Sequence, residues 1–117
     1  MDDIKTLPRT GRLPFSYYIL DEDKNIVRIE DIEVALEWSM YKSNRRVRMD
    51  QVGEYIVSTV FLVFDHGFVG DGPVLFETMV FKDSQSVDTL GWTDRYTTYD
   101  DARAGHQAIC DSVAAVL

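Results

Sequence analysis

The fold is decided by two apolar runs, Tyr55-Ile-Val-Ser-Thr-Val-Phe-Leu-Val-Phe64 and Val74-Leu-Phe-Glu-Thr-Met-Val-Phe81, and by the loop Asp65-His-Gly-Phe-Val-Gly-Asp-Gly-Pro73 between them. Both runs are rich in β-branched and aromatic residues and end at Gly, Asp or Pro, which is typical of strands. An antiparallel hairpin is the simplest connection. The first run is apolar on both faces, as in a central strand that is covered on both sides by helices or by a second subunit.

The pairing of these two strands predicts where their polar residues point. If Asp65 lies opposite Val74, then Val63 faces Phe76, and Glu77 shares a face with apolar residues of the first strand. A carboxylate on a core-like surface is costly unless it finds a donor or takes up a proton. We therefore expect Glu77 to be held by a partner.

The flanking segments complete a single domain. Residues 1–14 show no helical or strand periodicity and are interpreted as an irregular N-terminal arm, and residues 15–117 as one α+β domain. Asp31 and Thr98 are candidate N-caps of two helices, the first running through Ser43 and directing Ile32, Ala35, Leu36 and Met40 to the core. The predicted order is β-β-α-β-β-β-β-α, with an antiparallel sheet of about five or six strands and two helices packed on it.

Composition excludes several classes of protein. Twelve Lys and Arg against twenty Asp and Glu give a net charge of −8, which argues against general nucleic-acid binding. The single cysteine excludes an internal disulfide, and no apolar run is long enough for a membrane helix. We expect a cytoplasmic protein without a cofactor. We also expect no metal site, because the two histidines lack a spacing such as H-x-x-x-H or H-x-H.

Four residues form a candidate pocket: Asp65, His66, Glu77 and His106. Asp65 and His66 end a central strand, and His106 lies on the apolar stripe of the last helix beside Gly105. A mid-helix glycine costs about 1 kcal/mol relative to alanine, so we expect close packing of the helix at Gly105. The alternative is a structural role, in which His106 is a hydrogen-bonded core histidine and Glu77 holds the hairpin.

The one basic cluster of this acidic chain is a candidate contact for a partner protein or an anion. It contains Arg45, Arg46 and Arg48, and the helix before it carries Trp38 and Tyr41 outside its narrow apolar stripe. Guanidinium groups suit anion recognition, and Trp and Tyr are enriched at interfaces. The alternatives are a charged strand edge for the arginines and a wider core contact for the aromatics. We expect Arg45 and Arg48 to be exposed and dispensable for stability.

A set of short motifs resembles a group of short, functionally uncharacterised phage and bacterial proteins. The motifs are Val57-Ser-Thr-Val-Phe-Leu62, Asp65-His66, Gly72-Pro73, Leu75-Phe-Glu-Thr-Met79, Arg95-Tyr-Thr97 and Gly105-His106. The resemblance runs from Arg45 to Ala108 and implies a phage or mobile-element setting, without an activity to carry over. Val63-Phe64 departs from the group's pattern, in which a glycine follows Phe-Leu.

Three functions remain open at this stage. The leading one is a small non-enzymatic protein of phage type that binds a host or viral protein, as a homodimer. The second is an enzyme or small-ligand-binding protein that uses the pocket of Asp65, His66, Glu77 and His106. The third is a structural component of a virion.

Overall fold

The computed structural model describes residues 17–65, 73–88 and 91–117, so the predicted arm at residues 1–14 lies outside the described residues. The described chain is α+β and antiparallel, as predicted. Its elements are β1 (Tyr17–Leu20), β2 (Ile26–Ile29), α1 (Ile32–Ser39), α2 (Lys42–Arg45), β3 (Arg46–Val52), β4 (Tyr55–Phe61), β5 (Phe76–Lys82), β6 (Gln85–Ser86), β7 (Asp94–Tyr96) and α3 (Tyr99–Ala114).

The strands form two sheets rather than the one that was predicted. β1 and β2 pair only with each other, and the larger sheet has the order β3-β4-β5, with β6 and β7 sharing the far edge of β5. The two sheets meet through a bridge between Tyr17 and Phe64 and a hydrogen bond of 2.8 Å from Tyr18 N to Val63 O. The small sheet therefore extends one end of the larger one.

The register of the central hairpin differs by two residues from the predicted one. Phe61 pairs with Phe76 and Val60 pairs with Glu77, whereas the sequence predicted Val63 opposite Phe76. A shift of two residues leaves every side chain on its predicted face, since the side-chain period of a strand is two. Glu77 thus shares a face with Val60 and Met79, as expected.

Both predicted N-caps are present, but the first helix ends early. The side chain of Asp31 accepts a hydrogen bond from Glu33 N at 2.9 Å, and that of Thr98 accepts one from Asp101 N at 3.0 Å. The chain leaves α1 at Met40 and Tyr41 and makes the separate short helix α2. The core contacts of α1 come from Ile32, Ala35 and Trp38, while Leu36 and Met40 are exposed, contrary to the predicted stripe.

The main core lies between α3 and one face of the larger sheet. It contains Val57, Val80 and Val113 in one cluster, and Phe61, Phe76 and Ala102 in a second cluster that reaches towards Trp38. Residues 76, 78 and 80 of β5 are buried while residues 77 and 79 are only half-buried, so one face of the strand meets α3. Among the described residues, no helix has the length and apolarity needed to cross a membrane.

Candidate functional site

A chain of polar side chains runs through the core beneath α3. The Nδ1 atom of His106 lies 2.7 Å from Thr59 Oγ1, which in turn lies 2.5 Å from Thr78 Oγ1. The hydroxyl of Tyr96 donates to Thr78 Oγ1 at 3.0 Å. His106, Thr59 and Thr78 are fully buried, so these bonds satisfy groups that cannot reach water.

The other ring nitrogen of His106 connects this chain to the surface. Nε2 lies 2.7 Å from Asp50 Oδ2, and Arg48 Nε lies 2.9 Å from the same oxygen. The ionised carboxylate of Asp50 can only accept, so Nε2 is the donor atom of the neutral ring and Nδ1 is the acceptor; Thr59 then donates to Nδ1, Thr78 donates to Thr59, and Tyr96 donates to Thr78. In this order Nε2 carries the ring proton and donates it to Asp50.

The charges of the pair follow from burial and hydrogen bonding. Burial lowers the pKa of His106, and this effect outweighs the hydrogen bond to Asp50, which acts in the opposite direction. The hydrogen bond from His106 and the nearby Arg48 guanidinium lower the pKa of Asp50. At neutral pH the site is therefore a neutral imidazole that donates to a carboxylate, which is paired with an arginine.

Gly105 allows β7 to approach α3 closely, as the sequence predicted. A Cβ atom at this position would overlap the ring and hydroxyl of Tyr96. The absence of a side chain at Gly105 lets the Tyr96 ring lie flat against the helix, from where its hydroxyl reaches Thr78. One glycine therefore fixes the outer end of the polar chain.

Cys110 lies one helical turn after His106 and extends the cluster. Its sulfur, His106 and Asp50 each offer a ligand atom within 4.8 Å of the others. Nitrogen, sulfur and oxygen donors of this kind suit zinc. However, binding would require His106 Nε2 to lose its proton and its hydrogen bond to Asp50, and a thiol whose pKa burial raises to ionise. The cluster is complete as a hydrogen-bonded unit, so we retain the prediction that no metal binds.

Thr59, His106 and Asp50 are hydrogen-bonded in the order hydroxyl, imidazole, carboxylate. Hydrolases with a nucleophilic hydroxyl connect their catalytic groups in the same order. Catalysis also requires that a substrate reach the hydroxyl. Thr59 and His106 have no exposed surface, and Thr59 is further enclosed by Thr78 and the strands on either side. The arrangement therefore orders the core and joins β3, β4, β5, β7 and α3, rather than presenting a nucleophile.

Among the described residues, the structure separates two members of the predicted pocket, Glu77 and His106. Glu77 is bound by Arg95 Nε at 3.0 Å, and its face of β5 is opposite the face that carries Thr78 and His106. The carboxylate of Asp65 accepts a hydrogen bond from Val74 N at 2.9 Å at the end of the hairpin. His66 lies outside the described residues. Glu77 has the donor that was expected, but it belongs to a different surface from His106.

The basic cluster is largely used within the chain. Arg45 is half-buried and donates from Nε to Ser39 O at 2.9 Å, so the expectation that it is exposed is wrong. This bond satisfies a carbonyl at the end of α1, as does the bond of 2.8 Å from Asn44 Nδ2 to Trp38 O. Arg48 is paired with Asp50, and Arg46 is exposed.

The two aromatic candidates have different environments. Trp38 packs edge-on against Phe61, with ring centroids 5.5 Å apart, whereas Tyr41 is 63% exposed.

The sequence reasoning missed Asp50, Thr59 and Thr78 as partners of His106. The available signal was the parity of the strands: Thr59 and Thr78 fall on the same face of the hairpin in the predicted and in the observed register, and each is a polar residue in an apolar run.

Comparison of the chain with protein-family models, with curated proteins and with solved structures gives no match, so its function has to be argued from these physical features.

Proposed function

We propose that this chain is a small non-enzymatic binding protein of phage type, which acts in the host cytoplasm on a host or viral protein, as a homodimer. One observation carries the proposal: a cluster of large exposed side chains at the junction of α1 and α2. We call it the helix-corner surface and define it by Leu36, Met40, Tyr41, Lys42 and Arg46. Leu36, Met40 and Tyr41 are 46%, 76% and 63% exposed.

Hydrogen bonds fix the backbone of the helix-corner surface, whereas its own side chains are exposed. The bonds from Asn44 to Trp38 O and from Arg45 to Ser39 O fasten α2 to the end of α1. Trp38 anchors α1 from below through its contact with Phe61. A surface that is ordered before binding loses less conformational entropy when a partner docks, which favours affinity.

The chemistry of the surface defines the partner that it fits. Met, Tyr and Arg are enriched at protein interfaces, and Leu36 and Met40 lie one helical turn apart on one face of α1. Leu36 also borders a cleft of about 280 Å³, which is lined by Ser39, Arg45 and residues 61–64. Lys42 and Arg46 supply positive charge in a chain with a net charge of −8. The best fit is a partner with an apolar pocket and an acidic rim.

The enzyme alternative has less support, because among the described residues the imidazole and hydroxyl groups of His106, Thr59 and Thr78 are buried. The helix-corner surface, in contrast, is accessible and contains two of the candidate contact residues, Tyr41 and Arg46. Arg45 and Trp38 support it from behind, and Arg48 belongs to the polar chain.

A pair of matched substitutions tests the proposal. Met40→Asp places a carboxylate on the helix-corner surface, and Met49→Asp makes the same chemical change at a residue of β3 that is 47% exposed. Immobilised wild-type and variant proteins are incubated with lysate of phage-infected host cells, and captured proteins are quantified by mass spectrometry. A captured protein is then purified and its dissociation constant for each variant is measured.

We expect at least one protein to bind the wild type and Met49→Asp equally and to bind Met40→Asp at least tenfold more weakly. Added salt should weaken this binding, because the rim contacts are between exposed charges. Equal capture by all three proteins, or loss of capture with Met49→Asp alone, would remove the helix-corner surface from the proposal.

A further inference from the structure

The face of the larger sheet opposite α3 is apolar and is not part of the core. We call it the open face and define it by the residues whose side chains point away from α3. They are Arg46, Met49 and Gln51 of β3, Ile56, Ser58 and Val60 of β4, Glu77, Met79 and Phe81 of β5, and Arg95 of β7. Met49 and Ile56 are 47% and 40% exposed, and Val60, Met79 and Phe81 are half-buried.

Within the described residues, α3 is the helix that packs extensively on this sheet, and it lies on the other face. The core clusters contain Val57, Phe61, Phe76 and Val80 from the α3 face, and none of the apolar residues of the open face. Ile56, Val60, Met79, Phe81 and Met49 therefore form a contiguous apolar surface on neighbouring strands. A surface of this kind on a folded chain marks an interaction site or an aggregation hazard.

The pairing register arranges the open face in rows. One row across the strands is Arg46, Val60, Glu77 and Arg95, and the row at the opposite end is Gln51, Ile56, Phe81 and Ser86. Between them lie Met49, Ser58 and Met79. The face therefore has one charged end, and its remainder combines four apolar residues with Gln51, Ser58 and Ser86.

The charge of the open face favours a second copy of the same chain. Glu77 and Arg95 neutralise each other at 3.0 Å, and Arg46 adds one positive charge, in a chain whose net charge is −8. Two copies that met through most other parts of the surface would bring acidic groups together. Through the open face they meet without opposed carboxylates, because its one acidic residue is already paired.

The dimensions of the open face also suit a dimer. With strands about 4.8 Å apart and a rise of about 3.3 Å per residue, four strand positions and seven-residue strands give a footprint of roughly 19 by 23 Å. Side chains that project from the sheet add to this flat area. The flat footprint is about 440 Å² per copy, or about 870 Å² for two copies, which with the projecting side chains falls in the range of weak, reversible interfaces below about 1,200 Å².

We propose that two copies of this chain pack open face to open face about a two-fold axis, as two sheets stacked about 10 Å apart. This inference rests on the dimeric state in the proposed function and assigns it a surface. A small and largely apolar interface corresponds to a dissociation constant on the order of micromolar. The helix-corner surface shares only Arg46 with the open face, so Leu36, Met40, Tyr41 and Lys42 stay available in each copy.

The test measures mass in solution for matched variants. Met49→Asp and Ile56→Asp each place a carboxylate in the stacked layer, where it would lose its hydration without gaining a partner. Met40→Asp is the control, since it makes the same change outside the open face. Because Met49 and Ile56 are already exposed in one copy, the variants should keep the wild-type circular dichroism spectrum.

Sedimentation equilibrium is run from about 1 to about 100 µM, a range that brackets the expected dissociation constant. We expect the wild type and Met40→Asp to pass from monomer to dimer across this range, and both open-face variants to stay monomeric near 13.4 kDa. A wild-type dimer that both open-face variants retain would move the interface to another surface and overturn the inference.

A monomeric wild type at 100 µM would overturn the dimer as well, but it would leave the binding of a partner by the helix-corner surface intact. Conversely, the open-face variants could lose the dimer while no partner is found for the helix-corner surface. That combination would support the inference and count against the proposed function. The two proposals therefore fail separately.

Discussion

Replacing Gly105 by alanine tests the closest contact in the structure. In an ordinary helix this change is stabilising by about 1 kcal/mol, because alanine has the higher helix propensity. Here the new methyl group would overlap the Tyr96 ring, which lies against the helix backbone. The ring has to swing away, and the hydrogen bond of 3.0 Å from its hydroxyl to Thr78 is then lost.

The magnitude follows from these opposing effects. Forced overpacking costs about 1–3 kcal/mol, and a lost hydrogen bond costs about another 1 kcal/mol. After subtraction of the propensity gain, the free energy of unfolding should fall by about 2 kcal/mol. For a chain of 117 residues this lowers Tm by roughly 6–10 °C.

The assay is urea unfolding followed by circular dichroism, on a double-mutant cycle with Tyr96→Ala. In the Tyr96→Ala background the ring is gone, so Gly105→Ala should become neutral or stabilising by up to about 1 kcal/mol. The change of sign between the two backgrounds distinguishes a specific clash from a general need for a flexible helix. A Gly105→Ala variant that is more stable than the wild type would refute the reasoning.

Three further outcomes follow from the polar chain and its surroundings. Arg45→Ala should lower the free energy of unfolding by about 1 kcal/mol, because Ser39 O loses its donor, whereas Arg46→Ala, at an exposed residue, should leave urea unfolding unchanged. Because burial lowers the pKa of His106, the unfolded chain takes up a proton that the native chain does not, so stability should be lost as pH falls below about 6.5. Thermal melts of His106→Gln should lack this loss, and those of His66→Gln should retain it. Zinc should not raise the Tm of the wild type, and the protein should not retain zinc through gel filtration. The reason is that Asp50 and His106 are paired with each other and the pKa of Cys110 is raised. Zinc that is retained in a one-to-one ratio by the wild type and lost in Cys110→Ala would show this prediction to be wrong.

The order of the longer elements was predictable because each of them carries a local signal, whereas the short α2 and the two-residue β6 were not predicted. The caps at Asp31 and Thr98 and the β-rich runs around residues 55–64 and 74–81 depend on neighbouring residues alone. The split into two sheets was not predictable, since it depends on a bridge between Tyr17 and Phe64, which are far apart in sequence. The early end of α1 also depends on tertiary contacts, because Arg45 and Asn44 hold its last carbonyls.

The candidate site illustrates a different limit. The sequence places His106 on the inner stripe of α3 and gives the correct parity for the strands, and both results stand. The sequence does not determine which face of β4 and β5 packs against α3. The face with Val57 and Phe61 and the face with Ile56 and Val60 are about equally apolar, so hydrophobic patterning does not distinguish them.

That ambiguity has a physical basis that links the polar chain to the open face. The buried face contains Thr59 and Thr78, which would be poor core residues alone, because each hydroxyl would be unsatisfied. His106 resolves this by supplying an acceptor to Thr59, and its Nε2–H donates a hydrogen bond to Asp50. The open face needs no such chain of partners, since Glu77 is held by Arg95, Gln51 donates to Gly53 O, and Ser58 is only half-buried. One face of this sheet is sealed by α3 and the other leaves Met49 and Ile56 exposed, so in the proposed dimer the layer that covers the open face comes from the second copy of the chain.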